Sequence, residues 1–322
     1  MISSSVKKSV AAIAGAAAAV VAALVPMAPA AQAADQACKN YSSSSSTCVN
    51  TQRTIAGSTY STDWYLPQGT ASALMVLNHG FSRGCGNLRG TSKAVAEKGV
   101  MVLCVNGDMT AGNPVLGRDL AAALTAGTIT PPGRALPQRI IVGGHSAGGH
   151  FAGAVGAALS RTAPQRLAGA ILFDPVAAEG FSADLAAISA GGTRPVLSVA
   201  ARPSVTNLAN NSFGALRDLA NPYVGIQLVW KSYVLGVPTG GSCHTDVEGE
   251  DTDFIGTAGA LCSPNSTQTA RLRDFGSSWA RDLATNTRTA AYWCTDAAVV
   301  STCGSKVKEL VDRSLPLAAP IR

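Results

Sequence analysis

The sequence has little of what marks several large protein classes. Apart from the adjacent Lys7 and Lys8, its Lys and Arg residues are scattered singly, without clustered basic runs or interleaved aromatics, so they read as a solvated face and not as a nucleic-acid surface. No C-x-x-C or H-E-x-x-H spacing occurs, which removes the common metal and redox signatures. No apolar run reaches the roughly 20 residues of a membrane span; the most continuous, 10–25, is Ala-rich and shorter. There is no internal repeat and no linker that would split off a second domain. Histidine is scarce, with four in 322 residues. That scarcity lets a candidate general base be found by elimination.

What is present at the start of the chain reads as a secretion signal over 1–33. Lys7 and Lys8 lead the apolar stretch, and Ala31-Gln32-Ala33 gives a small-residue cleavage pattern. Cleavage after Ala33 leaves 289 of the 322 residues, 34–322, a length that suits one large α/β catalytic domain, soluble and extracellular. Losing two lysines leaves 23 basic against 19 acidic residues, a mild net charge of +4. All eight cysteines lie in the mature part: Cys38, Cys48, Cys85, Cys104, Cys243, Cys262, Cys294 and Cys303. An even number in an exported chain argues for disulfides over metal ligands. Sequence alone leaves the connectivity open; pairing neighbours (38 with 48, 85 with 104, 243 with 262, 294 with 303) is the simplest arrangement.

Periodicity gives the architecture. Segments 51–57 and 59–66 alternate apolar and polar positions across a Gly-Ser turn, as a pair of entry strands would. Continuous apolar runs at 73–78, 100–105, 139–143, 169–173, 195–200 and 224–233 have the character of strands buried on both faces. Helical patterns lie between or after them at 91–97, 114–126, 148–161, 183–189, 213–220 and 267–283. This alternation predicts a mostly parallel central sheet covered by helices on both faces.

The most informative stretch is Gly144-His145-Ser146-Ala147-Gly148, a G-x-S-x-G match between a β-branched run and a small-residue helix. A serine at such a strand-to-helix turn takes strained backbone angles, and the flanking glycines let neighbouring backbones pass closely. Ser146 is therefore the candidate nucleophile, and a Gly-rich turn without chemistry is the competing reading. A serine hydroxyl needs a base, and the base needs an orienting acid, in the chain order Ser, acid, His. His79 precedes the serine. His145 is its neighbour, with a side chain expected to leave the turn in another direction, and His150 lies in the following helix. Only His244 is downstream. Between Ser146 and His244, Asp184 and Asp218 fall on polar helix faces and Glu179 in a loop. Asp174 alone ends a buried strand, where catalytic groups gather in open α/β sheets. For the oxyanion, the expected donors are the backbone N–H groups of Ala147 and Phe81. The Phe81 ring is expected either to floor an acyl pocket or simply to pack in the core.

Asn78-His79-Gly80-Phe81, Gly144 to Gly149 (G-H-S-A-G-G), Phe173-Asp174-Pro175-Val176 and Cys243-His244-Thr245-Asp246 resemble, in order and approximate spacing, the motifs of chlorophyllase-like α/β-hydrolases, relatives of bacterial polyester hydrolases and cutinases. The resemblance covers roughly 73–251. It implies a disulfide-stabilised α/β-hydrolase fold and places acid and base at Asp174 and His244. Ala147 stands where the plant enzymes have arginine, and Cys243 where they have glycine. These departures bear on the chlorophyll substrate more than on ester chemistry. The expectation is a secreted, monomeric serine hydrolase that cleaves carboxylic esters through an acyl-enzyme, with no metal or organic cofactor, no nucleic-acid partner and no stable membrane anchoring. Its ester could be a small molecule, a lipid or a polyester. Alternatives are a polyester or cutin-type hydrolase, an extracellular acyltransferase, told apart by whether an alcohol outcompetes water as acceptor, and a catalytically silent binding protein on the same fold.

Overall fold

In a computed structural model that describes residues 35–321, the chain forms a ten-stranded sheet and a separate hairpin. The expected secretion signal falls outside the described residues. The chain enters through three antiparallel strands, β1 (Gln36–Ala37), β2 (Ser46–Ile55) and β3 (Ser58–Pro67), with Ala56 and Gly57 turning between the last two at positive φ. Strand and helix then alternate: β4 (Leu74–Asn78), α1 (Arg89–Ala96), β5 (Met101–Val105), α2 (Pro114–Ala126), β6 (Ile140–His145) and α3 (Ala147–Thr162). The pattern continues with β7 (Leu167–Phe173), α4 (Phe181–Ser189), β8 (Val196–Ala200), α5 (Phe213–Arg217) and β9 (Gly225–Leu228). After the hairpin β10 (Trp230–Val234) and β11 (Val237–Gly241) come α6 (Phe254–Ala260), α7 (Ser266–Thr285), α8 (Ser305–Val311) and the edge strand β12 (Ala318–Pro320).

The sheet order is β1-β2-β3-β5-β4-β6-β7-β8-β9-β12. From β5 to β9 neighbouring strands run parallel, while β3 and β12 flank this block antiparallel. This is the α/β-hydrolase arrangement. The apolar runs are continuous because their alternate residues serve two different cores. Leu74, Val76, Ile140, Val142 and Leu172 pack into the core under α2 to α5, and Met75, Leu77, Ile141, Ile171 and Phe173 into the core under α1 and α7. Local signals fix the helix ends. Asn113 caps α2 with Pro114 following and Gly127 closing it in the left-handed conformation, and the Asn265 side chain accepts from the N–H groups of Thr267 and Gln268 to start α7.

One expected strand, 224–233, is two. Val229 and Trp230 both donate their N–H groups to the Leu317 carbonyl, and β10 turns away to pair with β11 across Leu235 and Gly236, both at positive φ. The residues of β10 are not buried, so nothing holds them in the main sheet. Two residues at positive φ are what a tight hairpin turn requires.

Strand order places the site. The connection from β4 leads to β5 on one side of it, and the connection from β6 leads to β7 on the other, so the chain diverges between β4 and β6. A crevice opens beyond the carboxyl ends of strands at such a divergence. There lie the loop after β4, with Phe81, and the turn after β6, with Ser146.

Candidate active site

The turn after β6 is built from close backbone contacts. Ser146 has φ 55° and ψ −126°, a conformation that costs a residue with a Cβ on the order of 1–3 kcal/mol. Its carbonyl is held by the N–H groups of Gly149 at 2.9 Å and Val176 at 3.1 Å. A Cβ on Gly144 would collide with the Gly148 carbonyl, and one on Gly148 would collide with the His79 and Asn78 carbonyls. The loop after β4 also presses close, since a Cβ on Gly80 would lie 2.9 Å from that of Ser146. Beside this contact, the N–H groups of Phe81 and Ala147 donate to no other described residue. Phe81 and Ala147 line the same cavity as Ser146.

Asp174 follows β7 with φ 44° and is buried. Its Oδ2 accepts from His244 Nδ1 at 2.6 Å, and its Oδ1 accepts the Ala201 N–H at 3.0 Å. Asn207 Nδ2 reaches both oxygens, at 3.1 and 3.3 Å. His244 opens a short 3-10 turn and lines the same cavity as Ser146. That cavity has a volume of about 430 Å³ and mostly apolar walls, including Phe81, Val176, Leu208 and Ile255. The Phe81 ring forms part of its wall and is 60% exposed, so of its two expected settings the core is excluded. Glu179 is exposed in a loop, and Asp184 and Asp218 lie on or beside helices, apart from the cavity walls.

The loop carrying His244 is fastened from several directions. Cys243 is bonded to Cys262, one of four disulfides that also join Cys38 to Cys48, Cys85 to Cys104 and Cys294 to Cys303. These are the neighbour pairs that sequence offered as the simplest arrangement. Asp246 accepts the N–H groups of Cys243 at 2.7 Å and Asn265 at 2.8 Å, joining the two ends of the disulfide loop. Burial pushes its carboxyl up to about 7, against the pull of those two N–H groups and with the Asp174 charge adding to the rise. The fully buried Glu248 receives a bidentate pair from Arg83 at 2.5 and 2.8 Å, which ties the loop after β4 to the segment after His244. Burial also lowers the His79 imidazole, whose Nδ1 lies 2.9 Å from the Gly80 carbonyl.

Sequence reasoning missed Asn207, Arg83, Glu248 and the setting of His145. Asn207 meets Asp174 across 33 residues and Arg83 meets Glu248 across 165, and no local pattern signals a contact across such distances. His150 lies in α3, and its Nδ1 is 3.0 Å from the Ala111 carbonyl. His145 does not leave for another region; its ring lies against that of His244. Among the described residues there is no cluster of His, Cys, Asp or Glu able to hold a metal ion, and no helix long and apolar enough to cross a membrane.

No family model matches the chain, and no curated protein does. Solved structures with a similar course include a thermostable esterase from Pseudomonas putida, at 12% identity and TM-score 0.49 over 76% of this chain and 84% of that one. A fungal esterase structure from Rhizomucor miehei gives 14% identity and TM-score 0.48 over 74% and 84%. A dienelactone hydrolase from Anabaena variabilis gives 15% and 0.43 over 61% and 87%.

Two outcomes are expected. The Cys243→Ala, Cys262→Ala double variant should lose roughly 3 kcal/mol of stability on the chain-entropy model, with any ester-cleaving activity lost on heating before the fold melts. Activity and circular dichroism melting curves measured together check this, and coincident curves would contradict it. The second concerns pH. An acid raised from 3.8 to about 7 on folding leaves the folded state holding more protons between those values, so stability falls as pH rises through that window and levels off above it. The melting-temperature advantage of the wild type over Asp246→Asn should therefore shrink from about pH 5 to pH 8; an advantage independent of pH would contradict it.

Proposed function

We propose that this chain is an exported serine hydrolase that cleaves carboxylic esters through an acyl-enzyme. The observation that carries the reading is the buried 2.6 Å hydrogen bond between Asp174 and His244, in a crevice that His244 shares with a serine held at a strained turn. In the proposed reaction Ser146 Oγ attacks the ester carbonyl while His244 Nε2 takes its proton. Asp174 keeps Nδ1 protonated, which presents Nε2 as the acceptor and steadies the imidazolium that forms. The free N–H groups of Phe81 and Ala147 receive the oxyanion; a single such donor is worth roughly 3–4 kcal/mol. Collapse of the tetrahedral intermediate breaks the bond to the alcohol, which leaves with the proton from His244. Water, deprotonated by His244, then releases the acid and restores Ser146. Every group in this cycle belongs to the chain or to substrate and water, so no cofactor is called on. Four disulfides support the reading of an extracellular protein.

A second reading, a hydrolase of insoluble esters such as cutin or synthetic polyester, is favoured by one feature. Phe81, Leu208 and Ile255, which line the crevice, are each more than half exposed, as are Val205, Phe254 and Leu261, each adjacent in the chain to a crevice-lining residue (Thr206, Ile255 and Ala260). Exposed apolar groups of this size at a site mouth fit a substrate presented as a surface. Relative rates on a soluble p-nitrophenyl ester and on solid polyester separate the two.

Ser146→Ala and His244→Ala should each abolish p-nitrophenyl ester hydrolysis with unchanged far-ultraviolet circular dichroism, because such groups act as a unit. Asp174→Asn should cost at least about a hundredfold by holding the wrong tautomer, while Asp184→Asn and Asp218→Asn leave the rate unchanged. Normal turnover in the serine or histidine variant would remove the proposal.

A further inference from the structure

His145 is buried and stands directly before the proposed nucleophile, yet the cycle above makes no use of it. Its Nε2 lies 2.9 Å from the backbone carbonyl of His244. A carbonyl only accepts, so Nε2 carries the hydrogen and Nδ1 is bare in the neutral ring. Nδ1 has no hydrogen-bond partner; Glu248 Oε1, 3.9 Å away, is itself an acceptor, and both Glu248 oxygens already receive N–H groups from Arg83. The bond to His244 is thus the ring's single hydrogen bond. The two imidazoles are also in contact in a tilted arrangement, with centroids 4.6 Å apart and planes at 44°. Burial, and after it the neighbouring His244, holds the His145 imidazole well below its ordinary value, so it remains uncharged beside a histidine that must itself become charged.

An apolar side chain would fill this place without leaving a buried nitrogen unpaired, which is costly in itself. The gain that offsets that cost is positional. Asp174 fixes the direction of the His244 ring through Nδ1, but where the ring sits depends on where its backbone sits. Ser146 and His145 are consecutive on one rigid strand-to-helix turn, so a bond from His145 to the His244 carbonyl refers the position of the base directly to that of the nucleophile.

Resting on the proposed function, we infer that His145 is a positioning residue that sets the distance between Ser146 and His244 by donating its Nε2–H to the His244 backbone carbonyl. Displacement of a reacting group by about 1 Å can cost on the order of a hundredfold. The chemistry of the inference singles out one atom. A glutamine amide nitrogen reaches about as far from the backbone as histidine Nε2, whereas an asparagine amide nitrogen reaches only as far as Nδ1.

The test compares His145→Gln, His145→Asn and His145→Leu with wild type on a soluble p-nitrophenyl ester, each well below its own melting temperature. We expect kcat to fall roughly thirtyfold to a hundredfold in the asparagine and leucine variants and to return to within about fivefold in the glutamine variant, with KM unchanged throughout. Equal rates in the asparagine and glutamine variants, a loss expressed as a rise in KM instead of a fall in kcat, or losses that follow melting temperature would each overturn the inference. Absence of hydrolysis in the wild type would instead remove the proposed function on which it rests.

Discussion

A serine held at φ 55° and ψ −126° needs surroundings that forbid it to relax, and much of this molecule supplies them. The turn works only because Gly144, Gly148 and Gly80 have no Cβ at points where three backbones meet. Those backbones belong to β6, α3 and the loop after β4, and their meeting requires β4 and β6 to be adjacent in the sheet. Adjacency follows from the strand order, and the strand order needs helices on both faces, which in turn needs strands apolar on both sides. The long apolar runs and the strained turn are thus linked: two packed cores hold the sheet rigid enough to keep one residue in an unfavourable conformation.

The other half of the site is held differently. His244 stands on an irregular segment, and loops are where chains move most. Here the segment is fastened by a disulfide at Cys243, by the Asp246 carboxylate bridging Cys243 and Asn265, and by the Arg83–Glu248 pair behind it. His145 adds a contact from the turn itself. A buried ion pair contributes little net stability, because desolvation offsets most of the attraction. Its value here is geometric, since it joins the loop bearing Phe81 to the segment following His244.

Much of this was legible in the sequence, for identifiable reasons. Strands buried on both faces leave unbroken apolar runs, and the turn after β6 leaves glycines at fixed offsets, so the sheet and the positions of Ser146, Asp174 and His244 could be found from local pattern and chain order. The hairpin β10–β11 was not, because Val224 to Leu228 runs into Trp230 without a change of hydrophobicity, and only the pairing of Val229 and Trp230 with Leu317 marks the break. Asn207 lies 33 residues from Asp174, in a loop whose sequence carries no sign of its partner. The setting of His145 depended on where the distant His244 loop would come to rest, and from the strand alone its direction could not be known.

The central claim is that Ser146 is an activated nucleophile, and one measurement addresses it most directly. The folded protein is incubated with a fluorophosphonate, digested, and mapped by mass spectrometry. A single phosphonyl adduct on the peptide carrying Ser146, absent after prior heat denaturation, is the predicted result. An adduct on another residue, or none on a protein whose circular dichroism is native, would contradict the account.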